Sequence, residues 1–386
     1  MKDAGSSDSS AGLGRSASER VILSTIRKAG ALPSAEIARL AGLSAQSASV
    51  ITRQLEADGL IVKGEPQRGK VGKPLTPFML SGQGAYAFGL KIGRRSADLV
   101  LTDFLGRIVA RSRATYRYPT PDSTLAFVQT EVARLTQGLG PAQRQRIAGL
   151  GIAMPFFIWE WASIIGVAPA AMADWQQRDI RAEIAALYDF PVLLENDATL
   201  ACGAELAFGG CDTPSDFLYF YVGYFIGGGL VLNGRLFTGP SGNAGALGPM
   251  PVAGGADQQL VDVASLAGLE TLCVAAGQDP ALLWSGATQW QVAPELVASW
   301  MDEAAPALAR AIAASVSLID FPQVLIDGWM PASVRSALIV AVERGLDQVN
   351  LAGLRRPEIR AGVIGPDARA LGAASLPLSH QFMPQV

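Results

Sequence analysis

From residue 86 onward the sequence writes the same plan twice, and few folds accept a doubled plan. "AYAFGLKIGRRSADLVLTDFLGRIVARSRATYR" reads as three strands, with Gly93 and "DFLGR" as the turns. A helix over about 122–138, the strand "IAGLGIAM", a helix over about 175–188 and the strand "PVLLEN" follow. "FLYFYVGYFIGGGLVLNGRLFTG" then opens a second meander, with Asn233-Gly234 as its hairpin turn. Helices over about 295–318 and 332–348 alternate with the strands "QVLIDG" and "EIRAGVIG". "LVLTDFLGRI" (99–108) and "LVLNGRLF" (230–237) are alike as well, as a duplicated lobe would make them. The expectation is an α/β body over 83–386 with two lobes, about 83–195 and 196–386, and a ligand cleft between them.

The residues before the body read differently. "MKDAGSSDSSAGLG" (1–14) has no apolar pattern and no signal-peptide core, and reads as a disordered tail. Over 15–80 the plan is helix, short helix, tight turn, helix, hairpin. Val21, Ile22, Leu23 and Ile26 line the first helix and Gly30 stops it. Ser34 caps a short helix from Ala35 to Ala41, and Ser44 caps a third from Ala45 to Asp58. Ala48, Ile51 and Leu55 face inward on the third helix, leaving Gln46, Ser49, Val50 and Arg53 outward. The hairpin around "RGKVGK" carries Arg68, Lys70 and Lys73 at its tip. This reads as a winged helix-turn-helix, with a plain three-helix bundle and surface hairpin as the alternative, and its expected partner is double-stranded operator DNA. Gln46 and Arg53 have the chemistry to read base edges, Ser44, Ser47 and Ser49 to position phosphates, and the wing cations to meet phosphates or the minor groove. Charge agrees: residues 1–80 hold 11 Lys+Arg against 7 Asp+Glu, net +4, while 81–386 hold 20 against 27, net −7.

Composition closes off other chemistry. The only histidine is His380, which excludes most Ser-His, Cys-His and His-metal sites. Cys202, Cys211 and Cys273 lie far apart with no metal-knuckle spacing, which fits a reducing cytoplasm. The apolar stretch from Ile147 to Ala173 is interrupted by Pro155, Glu160, Pro169 and three glycines, so it reads as a strand and loop and no membrane is expected.

The head, "LLENDATLACGAELAFGG" and "GGGLVLNGRLFTGPSGNAGALGPM" together resemble the ROK family of repressors and sugar kinases, in the domain order of its repressor branch, of the xylose and N-acetylglucosamine type. The resemblance runs from about residue 15 to the end. It implies an actin/hexokinase-like, ribonuclease H-like body, a small sugar or polyol effector, and a homo-oligomer, either a dimer or a tetramer. In the family's kinases an Asp-x-Gly-Gly-Thr-type loop serves metal and phosphates. Here it reads "KIGRR", with Lys91 in place of the carboxylate and Arg94 and Arg95 in place of a glycine and the threonine. The second phosphate loop is "GYFIGGG", and Trp329 of "DGWM" stands where the nucleotide site has glycine. Pro249 replaces the family's zinc-ligating histidine and "PVAGGADQQL" has no cysteine. The resemblance therefore implies no catalysis, no ATP and no zinc.

On the sugar side Asn196, Asp197 and Asn243 match family contacts, Asp197 at the kinase-base position, while Ala246 replaces a sugar-binding Glu. Glu160 and Trp175 are further candidate ligand contacts, and Trp159 and Trp161 are either sugar platforms or core. Asp197 alternatively caps the helix that follows it. The expected function is a transcriptional repressor of carbohydrate genes with a sensing, catalytically degenerate body. A sugar kinase with an accessory head and a ligand-independent regulator are the alternatives.

Overall fold

The computed structural model describes residues 14–66, 75–162, 165–210, 212–252 and 258–384. In the head, α1 (Ala17–Ala29) starts at a capping box in which Ser16 and Glu19 exchange hydrogen bonds, and Gly30 ends it at φ 76°. Then come β1 (Ala31–Leu32), α2 (Ser34–Leu40), α3 (Ala45–Ala57), β2 (Ile61–Lys63) and β3 (Phe78–Leu80), with the sheet in the order β1-β3-β2. Two details differ from the expectation. Ser34 is the first helical residue and not the cap, because Pro33 already holds the extended entry geometry at φ −65°, ψ 153°. The inner seam of α3 is Ala48, Thr52 and Leu55, with Ile51 half-buried; Thr52 tolerates burial because its hydroxyl donates to the Ala48 carbonyl at 2.8 Å.

The first lobe holds β4 (Tyr86–Ile92), β5 (Ser96–Asp103), β6 (Ile108–Thr115), α4 (Pro121–Thr136), α5 (Pro141–Arg144), β7 (Ile147–Met154), α6 (Asp174–Gln177), α7 (Ile180–Ala185), β8 (Val192–Asn196) and α8 (Asp197–Phe208). The second holds β9 (Phe217–Val222), β10 (Ile226–Leu232), β11 (Arg235–Phe237), α9 (Leu260–Ala264), α10 (Leu266–Ala275), α11 (Ala281–Trp284), α12 (Pro294–Leu318), β12 (Gln323–Gly328), α13 (Ala332–Leu346), β13 (Glu358–Ala361) and α14 (Ala368–Phe382). The sheets have the same topology: β6-β5-β4-β7-β8 and β11-β10-β9-β12-β13, each an antiparallel meander followed by two parallel strands. The helix expected over 175–188 is broken. Arg178 is extended at φ −112°, and Asp179 caps α7 by accepting from the Ala182 amide at 2.9 Å.

The lobes exchange their last helices. α8 follows the first sheet but packs on β9 and β10, and α14 follows the second sheet but packs on β4 and β7. Glycines permit this closeness: a Cβ at Gly151 would stand 1.9 Å from the Ala373 carbonyl oxygen, and one at Gly372 would stand 1.8 Å from that of Leu200. The far end of α14 meets the head. Ile22, Leu23, Ile26, Leu55 and Phe78 share one apolar cluster with Phe104, Ala374, Leu378 and Phe382. Arg20 donates to the carbonyls of His380 (3.1 Å) and Met383 (3.3 Å), and Arg146 of the body donates back to the Asp58 carbonyl at 2.9 Å. Head and body thus share a core instead of being joined by a free linker.

Candidate functional site

A cleft of about 340 Å³ opens between the lobes. Its first-lobe wall comes from the β4–β5 turn, the loop after β7 and the β8–α8 junction; its second-lobe wall comes from the β9–β10 turn and residues 243–249; α14 contributes Arg369. Sheet topology places most of these pieces together, since the β4–β5 and β9–β10 turns, the loop after β7 and the β8–α8 junction lie at the carboxyl ends of strands in parallel pairs.

The β8–α8 junction resolves the choice left open for Asp197. Asn196 is the cap: its Oδ1 accepts from the Ala198 amide at 3.0 Å and the Thr199 amide at 3.2 Å. Asp197 is the first residue of α8, and its Oδ2 accepts from Arg369 Nη1 at 3.0 Å. The guanidinium lies over the Tyr221 ring, 4.8 Å from its centre. The expectation that Asp197 caps the helix is thereby corrected, because the residue before it has the extended geometry and the oxygen to do so. Both Asn196 and Asp197 line the cleft, as does the exposed Asn243.

Other expected contacts fall elsewhere. Trp175 is buried in the first-lobe core, and its indole N–H donates to the Pro119 carbonyl at 3.0 Å, so it is a core tryptophan. Glu160 is exposed and does not line the cleft. Trp161 does, packing edge-on against Phe225 of the other lobe at 5.3 Å. Phe157 also lines the cleft, 52% exposed and held at φ 58°, a conformation rare for a bulky residue and found where a site fixes it.

"KIGRR" acts as a latch. Arg95 Nη2 donates to Glu270 Oε1 of α10 at 2.9 Å, Arg94 lies 3.6 Å from the same oxygen, and the Arg94 guanidinium covers the Tyr224 ring at 3.8 Å. Lys91 Nζ donates to Asp98 Oδ2 and Ser96 Oγ, both at 3.1 Å. An ammonium engaged this way is not a Mg²⁺ ligand, and the loop does not fit a metal–nucleotide site. The zinc corner fits no better, since Pro249 offers no donor; among the described residues no group of three or more His, Cys, Asp or Glu is placed to hold a metal.

Burial, with Arg369 nearby, lowers the Lys91 ammonium to about 8, and Asp98 offsets part of that. Arg113 adds a smaller push in the same direction as Arg369. Between about 8 and the ordinary 10.5 the unfolded chain keeps a proton that folded Lys91 has released, so this group's contribution to stability rises with pH across that window. In Lys91→Met that contribution is expected to vanish. The urea-midpoint difference between variant and wild type should change between pH 8 and 10 and stay flat below about 7.

In the head, Gln46, Ser47, Val50 and Arg53 are exposed on α3 and Ser49 is half-buried. Ser44 is the N-cap, accepting from the Ser47 amide at 3.1 Å, and its hydroxyl bonds that of Ser47 at 2.9 Å. Arg53 Nε donates to the Ser49 carbonyl at 3.2 Å. The wing residues Arg68, Lys70 and Lys73 lie outside the described residues. Sequence reasoning missed Arg369 altogether: nothing in "GPDARALG" marks it, and its partner is 172 residues away.

Known proteins give the same outline. A ROK family model matches residues 87–277 and a MarR family model matches residues 16–65. The chain is 24% identical over 373 residues to an uncharacterised protein of Sinorhizobium fredii, covering 95% of this chain and 92% of that one. It is 23% identical to the xylose repressor of Caldicellulosiruptor bescii, with 59% of this chain and 57% of that protein covered. With the N-acetylglucosamine repressor of Escherichia coli O157:H7 the identity is 24%, over 56% and 53%. The match thus spans little more than half of each repressor. Among solved structures, a ROK family transcriptional regulator, a homologue of the E. coli MLC protein, superposes with a TM-score of 0.63 at 18% identity, over 95% of this chain and 96% of that one. The ROK hexokinase of Thermus thermophilus gives 0.52 at 24% identity, over 75% and 97%. At these identities the structures speak to the fold. No helix among the described residues is long and apolar enough to cross a membrane.

Proposed function

Because the chain carries a ROK family domain behind a MarR-type head, we propose that it is a DNA-binding transcription regulator whose kinase-like body senses a small carbohydrate and transfers no phosphate. The observation that supports this best is the shared core: a change in the cleft has a packed route, through α14, to the helices that would meet DNA. On α3, Gln46 and Arg53 are the base-reading candidates, and exposed Val50 suits a thymine methyl. Two heads on a dimer would read half-sites about one helical turn, or multiples of it, apart. The effector can change occupancy only by favouring one lobe arrangement over the other. The kinase reading is disfavoured because Asp197 is committed to Arg369 and the loop that would serve metal and phosphate is tied down by Asp98 and Glu270.

DNA affinity measured across salt tests the head. Each phosphate contact contributes about 0.9 to the slope of log affinity on log salt, so Arg68→Gln/Lys70→Gln should flatten it by about 1.8. An unchanged slope would remove the wing from the interface. A thermal-shift survey of sugars and polyols tests the body, since a ligand at about 100 times its Kd stabilises by roughly 2.7 kcal/mol. ATP-dependent phosphorylation of any sugar, lost in Asp197→Asn, would instead establish a kinase.

A further inference from the structure

The cleft is more cationic than a neutral sugar requires. Lys91, Arg94, Arg95, Arg113 and Arg369 line it. Three carboxylates answer them: Asp98 takes Lys91 at 3.1 Å and Arg113 at 3.5 Å, Glu270 takes Arg95 at 2.9 Å and Arg94 at 3.6 Å, and Asp197 takes Arg369 at 3.0 Å. Five cations against three anions leave +2. Arg111 and Asp367, beside the rear of the cleft, pair with each other at 2.6 Å and cancel. The excess is also chemically unsatisfied. Arg94 Nε and Nη1 and Arg369 Nε are buried without a hydrogen-bond acceptor in the protein. Each such N–H costs about 1–3 kcal/mol, more on a charged group; a single unpaired Nε also occurs at Arg27, Arg310 and Arg335, and among the described residues Arg94 alone leaves two guanidinium nitrogens unpaired.

A latch between the lobes explains Arg95 but not the rest. Glu270 is one carboxylate shared by two arginines, and it also accepts from the Trp284 indole at 2.5 Å. An arginine needed only for closure would be better served by a carboxylate of its own. The same wall carries the aromatic faces of Tyr224, Phe225 and Trp284. A volume of about 340 Å³ is at the small end for ligand sites, enough for a single sugar ring with one substituent.

We infer that the effector is an anionic monosaccharide, a sugar phosphate or a sugar acid, whose anion sits against Arg94, Lys91 and Arg369 while its hydroxyls meet Asn196, Asp197 and Asn243. This deepens the sensor reading and rests on it. Phosphate and carboxylate both accept the paired N–H groups of a guanidinium, so the charge fixes the class and leaves the anion open.

The test compares matched compounds by calorimetry: glucose, glucose 6-phosphate and gluconate, then N-acetylglucosamine and its 6-phosphate. Inorganic phosphate serves as a probe without a ring. An anionic member should bind at least about tenfold more tightly than its neutral counterpart, equivalent to ~1.4 kcal/mol. The 6-phosphate and gluconate arms tell the two anions apart. Millimolar phosphate should raise the melting temperature of the wild type and of Arg68→Gln/Lys70→Gln, and do so less than half as much in Arg94→Gln, whose folding is checked by an unchanged far-ultraviolet circular dichroism spectrum and a single cooperative melt without ligand. If a neutral sugar binds as tightly as its anionic counterpart, the charge inference falls and the sensor reading stands. If Arg94→Gln responds to phosphate like the wild type, the assigned anion position is wrong. If no compound binds and none changes DNA affinity, both readings fall together.

Discussion

Arg369→Ala should lower the folding stability of this protein by about 3 kcal/mol. The side chain is largely buried, and its removal strands Asp197, whose exposure is 9%, without the cation that accepts its charge. It also strips the Tyr221 ring of its guanidinium cover. Most of the loss comes from the stranded carboxylate and not from the value of the pair, because a buried ion pair roughly breaks even against apolar neighbours of the same size. Arg369→Met/Asp197→Leu is therefore expected to recover most of what Arg369→Ala loses. Urea unfolding of the three proteins reads both effects. A loss under about 1 kcal/mol in Arg369→Ala would place the pair with ordinary surface ion pairs, and Asp197 would then be free for other work.

Phe382→Ala is the second large effect, also about 3 kcal/mol, the usual cost of emptying a buried phenylalanine site. Phe382 lies at the end of α14, 7% exposed, its ring 5.0 Å from that of Phe104 in an edge arrangement. Phe104 in turn sits beneath the Arg27 guanidinium of α1, which burial lowers to about 10. The substitution therefore opens the seam between head and body and not the interior of either. Limited proteolysis should begin to release the head, and DNA affinity should fall. If stability drops while the head stays protected, the remaining contacts hold the seam, among them the Arg20, Arg27 and Arg146 hydrogen bonds.

What could be read in advance followed from local rules. Gly30 ends α1, Ser44 starts α3 and Asn233-Gly234 turns the β10–β11 hairpin, each because backbone geometry at one position demands a small set of residues. The doubled strand plan appears as two sheets of one topology because apolar runs and turn residues are also local. What escaped was non-local. Trp175 and Glu160 looked like a ligand wall, but whether an aromatic faces a cleft or a core is set by packing across the lobe. Asp197 and Asn196 sit side by side with equal capping chemistry, and only the backbone at the strand end decided between them. The exchange of α8 and α14 leaves no mark in composition, so nothing in the sequence shows that α14 begins against the second sheet and runs on over β4 and β7 of the first.

The reach of α14 sets an order of events during synthesis. Arg20 and its acceptor at His380 are 360 residues apart, so at roughly 5–20 residues per second a ribosome needs about 20–70 s between making one and making the other. Throughout that interval Ile22 and Ile26 lack the partners that complete their cluster, and the nascent head keeps one apolar side open. A chain stopped before residue 368 lacks the whole of α14, and with it Arg369 and Phe382. Read as a regulator, this protein makes its DNA-binding end first and finishes it last.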